Sequence, residues 1–264
     1  MKLRKICQLS KFMRYSLLTF IILILFSFIA AAQEPLQNGG ANGQEGGAED
    51  YRHDGTKSIT MTYEFHPYPQ ALLDSHLNHF DIRLQHYPLI IYGFDYAQTA
   101  NVRIGEKLPD FLKAIAFQYV DKEGQTQRAS LADYDDKKLL VLDFWATWCA
   151  PCIRSMHKWD TIYRALDADV QVLGIMLDHN YHAQYFGLDK GWSIPIVFGP
   201  ECLLLNSFFF DRKVVSRMAW IQAGKLLAIT GTAGYDLATV QQLLLGKPVT
   251  IPIAYEWTYS LPNS

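Results

Sequence analysis

Two cysteines separated by two residues, Cys149 and Cys152, stand where two folding patterns meet. Ahead of them lies Leu139-Leu140-Val141-Leu142, a continuous apolar run of the kind a strand buried on both faces shows. After them, Ile153, Met156, Trp159, Ile162, Tyr163 and Leu166 recur at helical spacing. Pro151 falls in the first helical turn, where its missing N–H costs nothing. This pattern puts Cys149 at a helix N-terminus. Unpaired backbone N–H groups and the helix dipole stabilise an anion there, which lowers a thiol pKa and favours the reactive thiolate. Cys152 lies one turn in, close enough for an intramolecular disulfide. Cys149 is then expected to exchange with a partner, and Cys152 to resolve the mixed disulfide.

Asp143 follows the apolar run directly, six residues before Cys149. A carboxylate there is costly to bury and its pKa is expected to rise. It is a candidate to take and return the proton of Cys152, directly or through water. The other reading is an idle, solvated carboxylate at the strand end. Trp148 is expected on a partner-docking surface with Ala150 and Pro151, whereas Trp145 suits packing equally well. A bare Cys-x-x-Cys also occurs in zinc sites, which need two further ligands. His76/His79 and His179/His182 are spaced for that, but such pairs are common on helix surfaces, and no metal is expected. His157 and Lys158 read as helix-face residues. Cys202, in Cys-Leu-Leu-Leu, reads as a small core residue.

The rest of the chain frames this unit. Lys2, Arg4, Lys5, Lys11 and Arg14 precede an uncharged run from Tyr15 to Ala32 that ends in three alanines. That is the pattern of a secretory signal peptide over 1–32, with an uncleaved membrane anchor as the rival. Cys7 would leave with it. The expected location is exported, periplasmic or cell-envelope, where disulfides persist. Removing five basic residues and no acidic ones leaves 19 basic against 26 acidic residues, and no basic field for nucleic acid. Residues 33–50, with five glycines and no aromatic, read as a flexible linker. Residues 51–102 form an N-terminal segment of unassigned role. In it, Thr60, Thr62 and Glu64 alternate with Met61, Tyr63 and Phe65 as in a strand. Leu89 to Tyr92 is another apolar run.

From 103 to 248 strands and helices alternate. Strands are expected at Ala114–Val120, Leu139–Leu142, Val170–Met176, Ser193–Val197, Val214–Ile221 and Leu226–Thr230. Helices are expected after the cysteines, at Tyr181–Leu188, at Cys202–Phe210 and after Asp236. Gln222-Ala223-Gly224-Lys225 is a tight hairpin signal. The expected class is α/β, a mixed central sheet with helices on both faces. A tail follows over 249–264.

Leu142-Asp143-Phe144-Trp145-Ala146-Thr147-Trp148-Cys149-Ala150-Pro151-Cys152 resembles the active-site stretch of thioredoxin-like proteins. Gly105-Glu106-Lys107-Leu108-Pro109-Asp110-Phe111 is similar to the entry motif of their exported TlpA/ResA branch. Trp220-Ile221, Gly224-Lys225 and Ala228-Ile229-Thr230-Gly231 are similar to its closing hairpin. The resemblance covers about 103–247 and implies a thioredoxin fold. It also implies thiol-disulfide exchange with protein substrates, mainly as a reductant recharged by a membrane electron donor, and no bound cofactor.

One departure stands out. The family has a cis-proline facing the cysteines, and counting back from Trp220 that position is Ser216, in Val215-Ser216-Arg217. A cis bond at a non-proline residue costs about 2.5–4 kcal/mol, so a trans Ser216 and an altered docking loop are expected. Exchange with altered specificity, helped by the Ser216 hydroxyl or Arg217, is one outcome. A thioredoxin-fold binding or assembly module with little turnover is the alternative. A peroxidase relative is a third reading, less suited to a Cys-x-x-Cys pair.

Overall fold

A computed structural model describes residues 47–53, 57–65 and 90–254. The signal segment, Cys7, most of the linker, His76 and His79, and the tail from 255 onward lie outside the described residues.

The run ahead of the cysteines is an interior strand of the larger sheet. In chain order this part of the protein forms α1 (Asp110–Ala114), β4 (Phe117–Val120), β5 (Thr126–Ala129), β6 (Leu139–Trp145), α2 (Ala150–Leu166) and β7 (Val170–Met176). Then come α3 (Tyr181–Lys190), β8 (Ile196–Phe198), α4 (Glu201–Ser207), β9 (Arg217–Gln222), β10 (Lys225–Thr230) and α5 (Leu237–Leu244). The strand order is β10-β9-β6-β7-β8-β4-β5. β6 and β7 are parallel, as their connection through α2 requires. β9 pairs antiparallel with β6 on the other side. Every residue of β6 and β7 is buried, which explains two nearly unbroken apolar runs.

The pleat divides β6 between two cores. Leu139, Val141 and Trp145 face one that includes Met156, Trp159 and Ile162 of α2, Tyr181 of α3 and Val240 of α5. Leu140, Leu142 and Phe144 face a second that includes Leu112 of α1 and Leu204 and Leu205 of α4. The sheet is mixed and its helices lie on both faces, as the sequence patterns require. Ala223 and Gly224 both have positive φ, 50° and 70°, in the tight turn joining β9 to β10.

Several expected bounds change; β8 starts at Ile196 rather than Ser193, and β9 at Arg217 rather than Val214. The Ala114–Val120 strand is shorter: Asp110–Ala114 is a helical turn, and pairing begins at Phe117 opposite Ala129. Leu112 fills the core from that turn. The Cys202–Phe210 helix ends at Ser207, and Asn206 ties the chain beyond it by hydrogen bonds to the backbone of Val214. The linker reading of 33–50 overreaches at its end, because β1 (Gly47–His53) begins at Gly47.

β1, β2 (Lys57–Phe65) and β3 (Ile90–Phe94) form a separate antiparallel sheet. Ile59 and Met61 of β2 join the second core. Polar ties fasten this sheet and the chain after it to the larger one. Tyr51 Oη donates to Glu201 at 3.2 Å. Tyr96 Oη donates to Asn206 Oδ1 at 3.0 Å. Val102 N donates to Phe208 O at 2.7 Å. The first residues of the tail also pair, Ala254 N donating to Ile229 O of β10 at 2.9 Å.

Candidate active site

The site grows from the end of β6. A turn closed by Cys149 N–H on Ala146 O, at 3.0 Å, leads into α2. Cys149 is the N-cap of that helix, and Pro151 occupies its first turn. Cys149 and Cys152 form a disulfide with an S–S distance of 2.06 Å. The backbone N–H of Cys152 donates to Cys149 Sγ at 3.3 Å, one of the helix's free donors aimed at sulfur. Cys152 is fully buried and Cys149 keeps 6% of its surface. Trp148, Ala150 and Pro151 are exposed around it, Trp148 at 68%, which is unusual for so large an apolar side chain.

Ser216 faces the disulfide from the opposite side. Its Oγ lies 3.1 Å from Cys149 Sγ and 3.2 Å from Cys152 Sγ. Its peptide is trans, and its φ is 65°, in the left-handed region. Ser216 N donates to Phe144 O at 2.9 Å, and Arg217 Nη1 donates to Ser216 O at 3.1 Å. Val215 is half-buried between the two cores, and Arg217 is half-buried beside Ser216. Every residue singled out from the sequence around the cysteines is therefore in one neighbourhood.

Asp143 lies on the α2 side of β6, completely buried. Ser155, one turn beyond Cys152, donates to its Oδ2 at 2.8 Å. Its Oδ1 has no hydrogen-bond partner among the described residues. Burial raises the Asp143 pKa to about 7, against the opposing effect of the Ser155 bond. The solvated reading of this carboxylate does not hold. Tyr235 Oη, 2.8 Å from Ser155 Oγ, supplies the next donor in the chain. Burial first, and the Asp143 charge second, raise the Tyr235 pKa, so it stays protonated. Met218 Sδ accepts from Trp159 Nε1 at 2.9 Å and closes the back of this pocket.

A second polar cluster braces the loop before Cys149. Asp178 accepts from Thr147 N at 3.1 Å and from the Thr147 hydroxyl, and pairs with His182 Nδ1 at 3.2 Å. Burial alone would raise the Asp178 pKa. Bonds from His182 and Thr147, the His182 charge and the His179 N–H outweigh it and lower the pKa. His182 is thereby occupied as a brace. His157 accepts from Trp192 Nε1 at 3.0 Å, and Lys158 lies 4.4 Å above the Tyr235 ring. Among the described residues no three His, Cys, Asp or Glu side chains gather as metal ligands.

Ser155, Tyr235 and Asp178 were not singled out from the sequence, because their roles depend on contacts across 80 and 31 positions. Beside Trp148 lies a cavity of about 250 Å³, lined also by Ile90, Ile91 and Tyr92 of β3, by Leu177 and by Leu203. The small sheet thus contributes a wall of the cavity beside Trp148.

A parallel strand pair, a disulfide at the start of the crossover helix and an antiparallel hairpin opposite it define a thioredoxin fold. Residues 104–219 match the model of the AhpC/TSA family. This domain is distantly homologous to thiol-disulfide oxidoreductases. ResA of Geobacillus thermodenitrificans is 29% identical over 120 residues, covering 45% of this chain and 64% of that protein. ResA of Bacillus anthracis is 29% identical over 142 residues, covering 48% and 76%. The chain thus spans just under two thirds of the first relative's length. A secreted thiol-disulfide isomerase from Corynebacterium glutamicum superposes with a TM-score of 0.42 at 22% identity, covering 50% of this chain and 81% of that one. A thiol:disulfide interchange protein from Bacteroides sp. gives 0.41 at 18% identity, covering 55% and 91%.

Proposed function

We propose that this protein exchanges its Cys149–Cys152 disulfide with protein substrates, acting mainly as a reductant outside the cytoplasm. The observation that carries the reading is the disulfide itself. It sits at a helix N-terminus with Cys152 N–H on Cys149 Sγ, beside an exposed Trp148 and above a buried carboxyl. In the reduced protein the Cys149 thiolate attacks a substrate disulfide, whose S–S bond breaks and whose first thiolate leaves. Cys152 then loses its proton and attacks Cys149 Sγ. The mixed disulfide breaks, the second substrate thiolate leaves, and two electrons have passed to the substrate. Asp143, with a pKa of about 7, suits the transfer of the Cys152 proton near neutral pH.

The basic N-terminus and the apolar run to Ala32 support export. Recharging needs two electrons and two protons from a dithiol donor, and a membrane protein on the same side is the expected source. Insulin reduction with dithiothreitol as donor tests the reading. Wild type should turn over, and Cys149→Ser should fall to the uncatalysed background. Equal rates would leave a binding module, and Cys149-dependent consumption of peroxide would make the protein a peroxidase.

A further inference from the structure

We propose that the Ser216 hydroxyl is a catalytic hydrogen-bond donor to the Cys149 sulfur, holding it as the thiolate when the pair is reduced. The proposal rests on the exchange reading above and names a further group that acts in it.

The geometry is specific. Ser216 Oγ lies 3.1 and 3.2 Å from the two sulfurs. In the disulfide neither sulfur carries a hydrogen, so the hydroxyl is the donor. Its backbone is held where few non-glycine residues sit, at φ 65°. Two bonds fix it there: Ser216 N–H on Phe144 O at 2.9 Å and Arg217 Nη1 on Ser216 O at 3.1 Å. An unusual conformation, tied at both its N–H and its carbonyl, aims one hydroxyl at the reacting atoms. When the S–S bond is reduced, the same hydroxyl meets a sulfur carrying negative charge. Hydrogen bonds to charged groups are stronger than those to neutral ones. Cys149 Sγ then has two donors, Cys152 N–H from the helix and Ser216 Oγ–H from the facing loop.

The hydroxyl proton is never transferred. The Cys149 thiolate gives its electron pair to a substrate sulfur, the substrate S–S bond breaks, and the departing thiolate takes a proton from solvent. When the Cys152 thiolate attacks Cys149 Sγ, the bond to the substrate breaks and its electron pair leaves on the substrate sulfur. Ser216 stabilises the ionised Cys149 at the start of this sequence. It therefore favours the reduced form at any pH where Cys149 is ionised, and makes the disulfide more oxidising there.

Two variants separate the hydroxyl from the backbone. Ser216→Ala removes the donor and keeps the left-handed strain. Ser216→Gly removes the donor and relieves it. The full reduced chain is alkylated with iodoacetamide across pH, with Cys149 followed by mass spectrometry, and equilibrated with glutathione at several pH values. Both variants should raise the Cys149 pKa by about one pH unit, a roughly tenfold loss of thiolate below that pKa. Their potentials should match wild type below the Cys149 pKa. Above it they should become more negative by about 30 mV, which is a tenfold change in the equilibrium constant. Asp143 on β6, Arg154 on α2, Arg217 on β9, Asp178 after β7 and His182 on α3 carry charge on the elements around the pair. They are common to all three proteins and cancel in the comparison. An unchanged Cys149 pKa would overturn the proposal. So would a gap in potential that does not vary with pH, or a shift in Ser216→Ala that Ser216→Gly lacks. Neither readout needs a protein substrate. Failure on insulin with these shifts intact would overturn the oxidoreductase reading and leave the Ser216 assignment standing.

Discussion

Cys149 and Cys202 both lie at the start of a helix, and the structure treats them in opposite ways. Cys149 caps α2, its sulfur takes the Cys152 N–H and the Ser216 hydroxyl, and a little of it reaches the surface beside Trp148. Cys202 is the second residue of α4 and is 1% exposed. Burial first and Glu201 second raise its pKa, and the lowering effects of the Met176 backbone and Lys213 do not offset them. Helix position alone therefore does not make a reactive thiol. Cys202 also has a backbone donor, Met176, but near-complete burial outweighs it, whereas Cys149 adds the Ser216 hydroxyl and an opening to the surface.

The largest effect that would test this contrast is the loss of turnover in Cys149→Ser, set against Cys202→Ala. The Cys202 variant should keep the wild-type insulin rate, and a matching loss there would break the comparison. Asp143→Asn comes next. It should slow resolution of the mixed disulfide by about 100-fold, within the range for proton transfer by a positioned group, as read by trapping the intermediate. It should also change the pH dependence of stability. An ordinary Asp titrates near 3.9, and this one has its pKa raised to about 7. Its stabilisation is complete below about pH 4 and is lost as pH rises through 7. Wild type should lose up to roughly 4 kcal/mol between pH 4 and 8 that the Asn variant keeps, in guanidinium unfolding of the oxidised protein.

Asp178→Asn tests the brace under the same loop. Loss of the charged bonds to Thr147 and His182 should cost about 1–3 kcal/mol at pH 7. Because the Asp178 pKa is lowered, that stabilisation is present above about pH 4 and fades as pH falls below it, so the variant and wild type should converge in acid. Smallest is the stability effect of Cys202→Ala, about 1 kcal/mol for a small buried cavity, by the same unfolding assay.

The local part of the site is legible in the sequence. The apolar run of β6, the Cys-x-x-Cys, Pro151 and the periodic face of α2 are neighbours along the chain, and the Ala223-Gly224 turn carries its own conformational signature. Counting back from Trp220 reaches Ser216, because β9 pairs in regular register with β6. What the sequence hides is non-local. Ser155 and Tyr235 are ordinary polar residues until the fold puts them against Asp143. The reading of Ala114–Val120 as one strand fails because an apolar run carries no mark of where a helical turn gives way to pairing. The small sheet wall beside Trp148 depends on β3, whose Ile91 is exposed and whose apolar run has no chemical signature.

β6 holds the site from three directions. Asp143 leaves its one face, Phe144 O takes the Ser216 N–H, and Trp145 O takes the Leu177 N–H at 2.8 Å just before Asp178. All seven of its residues are buried inside the sheet, between β9 and β7. Amides in such a strand open only with the whole domain and exchange with solvent last. The redox pair is thus anchored to a fully buried interior strand. Native-state hydrogen exchange is expected to find the β6 amides among the last to open, so the strand beneath the site should melt with the domain.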